Sequence, residues 1–494
     1  MNMNAIKNIT IVGGGLAGWT TALALKKILE GLIVEITIID EQKELSELPW
    51  LNPSNLSFLN QLGIDEKEFV KSSDATFSLG TQYYDWGKQG NSFFQPHGPH
   101  GNPINFLDFH HFAIKARALG DKKNYEEYAF ATSAAKAGKF VHPQADQRSL
   151  LSVLNYSHNI NPEKYLEFFR KLAIKAGVKV IDSAIEKVII DNKNSSIHSI
   201  CLVNGDEIKS DFYIDNSGNE ALLLNRLKGA DSISWEELIP FDSKILFSRK
   251  ADLKRCKPQI NMNRTEYGYI REYSSQSNQY IEYVFDSSKL TEKNAISFVQ
   301  DRFAEASPIS GLVTIKNGQQ SRYWIGNCLS IGNAAVDFPP LGVSTIQTAQ
   351  EAILLFIELY PNLDSLDGIS KEYNRIFQQR IDSLRDYVCL HFTKLSNEMD
   401  LPISIDSAPQ TLKEKIELFK VSGKICFQER EFFNHNYWTS TLLGLDFWPE
   451  SYDQFLDSFD FQELNNNYQR MLAAITQTTE QLPNHIEYLK SGLE

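Results

Sequence analysis

The first forty residues alternate between the hydrophobic spacing of strands and that of a helix. Asn8–Val12 is a short run rich in β-branched residues, and a glycine-rich turn follows it. Apolar residues then recur at helical spacing over residues 19–29, before a second apolar run at 34–39 that leads into Asp40. This order of periodicities predicts a strand, a tight turn, a helix and a second strand.

The rest of the chain divides into stretches of different pattern. Residues 42–150 are irregular and rich in Gly, Pro, Asn and aromatic residues. Residues 162–176 have helical spacing, residues 240–325 have the pattern of a β-rich meander, and the chain after Ile346 is mostly helical. Further short strands are expected at 178–181, 185–190, 197–203, 212–214 and 328–331.

Composition narrows the class of protein. Hydrophobic residues make up 42% of the 494 residues, which is enough for a sizeable core, and the net charge of −13 repels nucleic-acid phosphates. The five cysteines form no C-x-x-C pair, and no stretch reaches the roughly 18 apolar residues of a membrane span. We therefore expect a reduced, cytoplasmic globular protein without a signal peptide, a membrane span or nucleic-acid binding.

The turn after the first strand carries a phosphate-binding pattern. Gly13, Gly15 and Gly18, with Leu16 and Ala17 between them, fit G-x-G-x-x-G. The first glycine allows the tight turn, the second lets a pyrophosphate approach the backbone, and the third lets the helix pack on the strand. The alternative is a turn that packs a helix on a strand and binds nothing. The flanking strand, helix and second strand favour a dinucleotide site.

A carboxylate at the end of the second strand supports this interpretation, because it can bond a ribose hydroxyl. Asp40 has the expected spacing, and Glu41 is the alternative. A late strand followed by Gly332-Asn333-Ala334-Ala335 and by Pro340-Leu341, ahead of Ile346, resembles the turn that holds the ribityl chain in FAD enzymes of the glutathione-reductase type. FAD is therefore the expected cofactor, bound without a covalent link.

These motifs define the expected architecture. We predict an α/β fold in which a Rossmann-like FAD module of the glutathione-reductase type is interleaved with a β-rich and helical substrate module. The expected divisions are 1–240 for the FAD module, with 322–350 returning to it, then 241–321 for the β-rich part and 351–494 for the helical part. No second glycine motif is present for NAD(P)H, so a partner flavin reductase is expected to supply reduced FAD.

Taken in order along the chain, several segments resemble the flavin-dependent tryptophan halogenases. The resemblance implies that reduced FAD and oxygen convert halide to hypohalous acid, which a lysine directs to an indole while a glutamate assists proton loss. The segments that carry it are Gly13–Gly18, 62–66, 74–77, 85–87, 211–218, 324, 327–328, 332–335, 340–341 and 482–485.

The departures from the family pattern fall on its catalytic residues. The family lysine follows Ala-Thr-Phe, and here Ser78 occupies that position. The family glutamate follows Pro-Leu, and here Gly342 stands there, with the Ser-Thr pair displaced by one residue. The W-x-W-x-I-P segment maps best to residues 267–272, so Tyr267 and Tyr269 replace the tryptophans. They are candidate substrate contacts, or else two core residues on one strand face.

Two further sets of polar residues need a role. Asp337 stands where the family usually has Phe, and it is either an acid or base beside the flavin or a solvated turn residue. The histidines at 97, 100, 110 and 111 have no carboxylate at ligand spacing, so we expect surface or loop-packing histidines and no metal site.

Three functions remain open. The first is an FAD-dependent oxidoreductase that oxygenates a small aromatic or peptide-bound indole-like substrate, with Ser78 and Asp337 as candidate catalytic residues. The second is a true halogenase with a rearranged relay, and the third is a non-catalytic flavin-binding partner. A homodimer is an additional possibility.

Overall fold

The computed structural model describes residues 4–191, 195–395, 403–427 and 430–493. Its strands are β1 Asn8–Val12, β2 Glu35–Ile39, β3 Thr76–Ser78, β4 Gly80–Tyr84, β5 Ser92–Pro96, β6 Ser157–Asn159, β7 Lys179–Ile181, β8 Ile185–Asp191, β9 Ser196–Leu202, β10 Glu207–Ile208, β11 Phe212–Asp215, β12 Ser232–Ser234, β13 Ser243–Lys250, β14 Ile260–Arg264, β15 Gly268–Ser274, β16 Asn278–Phe285, β17 Ser307–Pro308, β18 Val313–Thr314, β19 Gly318–Gln320, β20 Trp324–Ile325, β21 Cys328–Ser330 and β22 Val336–Asp337. Its helices are α1 Gly15–Ile28, α2 Ser54–Gln61, α3 Glu66–Ser72, α4 Phe109–Ala118, α5 Phe130–Lys136, α6 Pro162–Lys175, α7 Glu292–Arg302, α8 Thr345–Glu358, α9 Leu366–Thr393, α10 Gln410–Ser422, α11 His435–Gly444, α12 Phe461–Gln481 and α13 His485–Leu493.

A six-stranded, mostly parallel sheet of the Rossmann type confirms the expected fold class. Its order is β20-β21-β11-β1-β2-β7, with β1 parallel to both β2 and β11. β21 continues the parallel arrangement beside β11, so a strand from late in the sequence returns to this sheet. α1 begins at Gly15 rather than at Trp19, because the glycine turn itself forms the first turn of the helix.

A second sheet has eight strands and is mostly antiparallel. Its order is β17-β13-β16-β15-β14-β4-β5, with β18 paired to β13. β4 and β5 come from residues before 240, so that part of the chain contributes to this sheet as well.

The register of this sheet sorts its side chains onto two faces, since successive residues of a strand point to opposite sides. One face carries Ile245, Phe247, Ile270, Ile281 and Tyr283, which form an apolar cluster with α7. The other face, which we call the inner face, carries a row of cross-strand neighbours that includes Lys244, Glu282, Tyr269, Arg271 and Tyr83.

Two stretches differ from the sequence expectation. Residues 42–150 are not irregular: they contain α2 to α5 and β3 to β5, whose short lengths gave little periodic signal. The meander of 240–325 is interrupted by α7, whose helix begins after the N-cap Thr291. The helical C-terminal part is confirmed by α8 to α13. Within the described residues, the helices are too short or too polar to cross a membrane.

Candidate functional site

A cavity of about 470 Å³ opens at the carboxyl ends of β1, β2 and β11, against the N-terminus of α1. Ligands of open α/β sheets bind at this edge, and a helix N-terminus there favours an anion. The predicted cofactor residues that line it are Gly13, Gly15, Leu16, Ala17, Asp40, Glu41 and Asn333. Gly18, Gly332, Pro340, Leu341 and Ile346 do not line this cavity, and they support the elements around it.

The three motif glycines have separate roles in the structure. A Cβ on Gly13 would lie 2.1 Å from the carbonyl oxygen of Asn216, and a Cβ on Gly18 would lie 2.1 Å from that of Gly13. These two positions therefore hold backbone segments in close contact. Gly15 has a φ of +46°, and a Cβ there would meet no protein atom within 4 Å. Its open side faces the cavity, where the turn can approach a phosphate.

The carboxylates that follow β2 already make contacts within the protein. The indole N–H of Trp19 donates to Asp40 at 3.0 Å, and the backbone N–H of Gln42 donates to it at the same distance. Glu41 is exposed and pairs with Lys43 at 3.1 Å. Both carboxylates reach the cavity wall, so the ribose contact can come from either residue.

Polar groups at the far side of the cavity fit the same ligand. The side-chain Oδ1 of Asn333 is buried and has no hydrogen-bond partner among the described residues, and it can accept from a ribityl hydroxyl. Asn216, in the turn after β11, donates to the carbonyl of Gly13 at 3.1 Å and lines the cavity. An open glycine turn, a helix N-terminus and an unpaired amide oxygen together suit FAD.

The segment that follows Pro340-Leu341 forms hydrogen bonds with residues 47–50 beside the cavity. Ser344 exchanges hydrogen bonds with the backbone of Trp50 at 3.0 and 3.1 Å, and Thr345 donates to the carboxylate of Glu47. Both hydroxyls are therefore engaged in hydrogen bonds within the protein, so the displaced Ser-Thr pair offers no free hydroxyl to a halide ion. Glu47 lines the cavity, and its pKa is raised by burial against the opposing charge of Lys244.

Charged residues of the inner face lie next to this end of the cavity. Lys244 is buried, with its ammonium 3.7 Å from Glu282 Oε1. Arg271, also buried, bonds Glu282 Oε2 at 2.8 Å and donates to the carbonyl oxygens of Leu48 and Pro49. Glu282 Oε1 has no hydrogen-bond partner among the described residues. Sequence analysis missed this group, because the residues come from separate strands with no shared motif.

An aromatic cluster extends from the same face toward α9 and α11. Tyr387 stacks on Phe433 with ring centroids 3.7 Å apart, and a Cβ on Gly342 would lie 3.1 Å from Phe433. Tyr269 donates to the carbonyl of Pro340 at 3.2 Å. The hydroxyl of Tyr83 is buried and has no partner among the described residues.

Burial raises the pKa of Tyr83, and the neighbouring hydroxyls of Tyr387, Tyr269 and Tyr437 raise it further. Tyr83, Tyr269, Tyr387, Phe433 and Tyr437 are all buried, and the ring of Phe433 packs on those of Tyr387 and Tyr437. We call these five closely packed side chains the aromatic chamber.

Ser78 lies in β3, fully buried, and its hydroxyl donates to the carbonyl of Gly80 at 3.2 Å. It pairs in register with Ser157, whose hydroxyl lies 3.1 Å from His97 Nε2. His97 Nδ1 lies 2.6 Å from the Tyr437 hydroxyl, which connects this polar chain to the aromatic chamber. Burial lowers the pKa of His97 to about 3, so its ring is neutral.

Other predicted residues lie elsewhere. Tyr267 precedes β15 and packs on the opposite face of the sheet from Tyr269, so the two do not share one face. Asp337 is buried and accepts from the backbone N–H of Lys316 at 2.8 Å, so its interpretation as a solvated turn residue is wrong. Of the two alternatives for the histidines, a surface position or packing within loops, the surface position is wrong, because all four are buried: His97, His100, His110 and His111.

Comparisons with known proteins agree with this geometry. The sequence profile of the tryptophan halogenase family matches residues 8–461. Tryptophan 7-halogenase RebH of Lentzea aerocolonigenes is 23% identical over 490 residues, covering 90% of this chain and 91% of that protein. Among solved structures, the flavin-dependent halogenase BrvH from Brevundimonas sp. BAL3 has a TM-score of 0.91 at 24% identity, covering 99% of each chain. Xcc4156, a flavin-dependent halogenase from Xanthomonas campestris, has a TM-score of 0.90 at 24% identity, covering 99% and 98%. Since the profile matches over most of its length, the chain belongs to the tryptophan halogenase family.

Proposed function

We propose that the protein is a flavin-dependent halogenase that uses reduced FAD, oxygen and halide to halogenate an indole-like aromatic ring. The observation that carries the proposal is the buried amine of Lys244. It lies beside Glu47, on the wall of the flavin cavity, and beside Glu282, on the face that carries Tyr269 and Tyr83. A buried amine thus lies beside the cavity wall and on the same sheet face as Tyr269 and Tyr83, although Ser78 occupies the family position.

The cofactor fits the cavity described above, with Gly15 and the N-terminus of α1 toward the pyrophosphate and Asn333 toward the ribityl chain. When bound in its reduced form, FAD supplies the electrons that convert oxygen and halide to hypohalous acid. Because no second dinucleotide motif is present, a separate flavin reductase supplies the reduced cofactor.

The chain's own residues then direct the oxidant. The Lys244 ammonium donates a hydrogen bond to the oxygen of hypohalous acid and weakens its bond to the halogen. The ring carbon forms its bond to the halogen and loses a proton, which Glu282 Oε1 accepts, because that oxygen makes no hydrogen bond among the described residues. The proton and the released hydroxide leave as water, so the step is balanced.

The aromatic chamber supplies the substrate contacts. Its rings offer apolar and edge contacts to an indole, and the unpaired Tyr83 hydroxyl offers one hydrogen bond. Gly342 lets the rings of Phe433 and Tyr387 approach the backbone closely, because a Cβ there would lie 3.1–3.3 Å from both rings.

A second candidate function is oxygenation of the same ring. The specific observation in its favour is that Ser78 and Gly342 stand where the family has its lysine and glutamate. A serine hydroxyl carries no positive charge and a glycine no carboxylate, so these two positions cannot perform the family's transfer step. In that case the substrate would gain an oxygen atom without any requirement for halide.

The experiment supplies purified protein with FAD, a flavin reductase, NADH and oxygen, and offers tryptophan, indole and tryptophan-containing peptides. Each substrate is tested with chloride, with bromide and without halide, and products are identified by mass spectrometry. We expect halogenated product that requires halide. Oxygenated product without halide would replace this proposal with the second candidate. Oxygen consumption coupled to no product would instead favour a non-catalytic flavin-binding protein.

A pair of variants tests the role of Lys244. Lys244→Met should lower the halogenation rate by about 10²-fold or more, the usual contribution of one acid–base group, while leaving FAD binding intact. Lys250→Met removes an exposed lysine from the end of the same strand and should leave the rate unchanged. Equal rates in the two variants would exclude Lys244 from the transfer step.

A further inference from the structure

Three helix ends meet away from the flavin cavity. Asp108 is the N-cap of α4, His110 is the second residue of that helix, and His435 is the first residue of α11. The third end is the C-terminus of α10, where Gly423 takes a left-handed conformation with φ +69°. One nitrogen or carboxylate oxygen from each of Asp108, His110 and His435 lies within 4.8 Å of the others.

Each of the two imidazoles is held by a hydrogen bond on one ring nitrogen. His110 Nε2 lies 2.6 Å from the carbonyl oxygen of Gly423. Because a carbonyl only accepts, Nε2 carries the proton, and the lone pair of the neutral ring is on Nδ1. His435 Nδ1 lies 3.1 Å from the hydroxyl of Thr439, and its Nε2 lies 3.2 Å from the Asp108 carboxylate. Histidines that bind metals are commonly oriented in this way, by a partner on the nitrogen that does not bind.

The chemistry of the cluster also suits a cation. The Asp108 carboxylate contributes one negative charge, and the neutral imidazole, with a lone pair on one ring nitrogen, is the form that ligates a metal. Asp453 and Lys424 are further charged groups that act on the neighbouring His111.

We propose that Asp108, His110 and His435 form a binding site for a divalent transition-metal ion, with Zn²⁺ the ion that two imidazoles and one carboxylate suit. Three protein ligands leave a further coordination position for water or another small ligand. The ion would join α4 to α11, two helices far apart in the sequence. The sequence expectation of no metal site considered ligand spacing along the chain, and these three residues come together only in the folded protein.

The test uses the full-length protein after chelator treatment and dialysis. It is titrated with Zn²⁺ in competition with a chromophoric chelator, and separately with Co²⁺ to record the visible spectrum of the bound ion. We expect one equivalent of Zn²⁺, a Co²⁺ spectrum of nitrogen and oxygen ligation, and a higher unfolding temperature with Zn²⁺.

The decisive variants are His435→Gln and Asp108→Asn, because both side chains are partly exposed. Each should weaken Zn²⁺ binding by at least about 10-fold, the lower end for loss of a metal-site partner. His198→Gln, an exposed histidine in β9, is the matched control and should bind like the wild type. Binding of less than one equivalent by the wild type, or equal affinity in all variants, would overturn the proposal. Circular dichroism of each variant separates loss of the site from loss of the fold.

Discussion

Replacing Gly15 by alanine tests the cofactor site most directly, because the structure separates this glycine from its two neighbours in the motif. At Gly13 and Gly18 a Cβ would collide with backbone at 2.1 Å, so those variants would disturb the fold. At Gly15, which lines the cavity, the Cβ meets no protein atom within 4 Å. The expected cost to folding is therefore the left-handed backbone alone, about 1–2 kcal/mol.

The expected cost to FAD binding is larger. A methyl group at this turn keeps the pyrophosphate from approaching the backbone N–H groups at the start of α1. Loss of two charge-assisted hydrogen bonds, at about 1.5–3 kcal/mol each, amounts to about 3–6 kcal/mol, or about 10²–10⁴-fold in Kd. The assay is titration of the apoprotein with FAD, followed by quenching of flavin fluorescence and by calorimetry.

Gly63→Ala is the matched control. Gly63 has a φ of +67° with no protein atom within 4 Å of an added Cβ, and it does not line the cavity. The Gly63→Ala variant should lose about 1–2 kcal/mol of stability, as Gly15→Ala should, and it should bind FAD like the wild type. If Gly15→Ala bound FAD as tightly as Gly63→Ala, the pyrophosphate would not lie at this turn, and our placement of the cofactor would be refuted.

Three further predictions concern turnover and stability. Stopped-flow mixing of the FAD-loaded protein with NADPH alone should show no rapid flavin bleaching, whereas fast bleaching would argue for a self-sufficient enzyme. Ser78→Lys should not raise halogenation, and it should lower the free energy of unfolding by on the order of 3–5 kcal/mol in denaturant titrations, because it places an ammonium at a fully buried position; a more active variant would contradict this. Acidification should unfold the protein, since burial lowers the pKa of His97 to about 3 and those of His100, His391 and His485 to about 4. Below the unfolded pKa of about 6.5 the unfolded chain binds more protons, so each of these residues removes roughly 2 kcal/mol of stability by pH 5. Equal unfolding midpoints at pH 7 and pH 5 would show that these rings are not held neutral.

The sequence by itself determined the cofactor module and the family. Strand and helix periodicity are local properties, and the roles of Gly13, Gly15 and Gly18 depend on backbone geometry within a few residues. The motif therefore predicted the turn and a dinucleotide ligand, and the later turn at 332–335 favoured FAD. Asn333 was found in the same way, through the short strand and turn that hold it. The substitutions at Ser78 and Gly342 were visible for the same reason, because each follows a recognisable tripeptide or dipeptide.

Only the tertiary structure decided which polar residues meet. Lys244, Glu282 and Tyr269 lie on three different strands, and the register of β13, β16 and β15 puts them on one face. Tyr267, two residues before Tyr269, packs on the other face because it lies outside the strand, where the alternation no longer applies. Cross-strand pairing and the meeting of helix ends join residues distant in the sequence. Spacing along the chain carries no signal for them, because their proximity depends on the packing of the whole core.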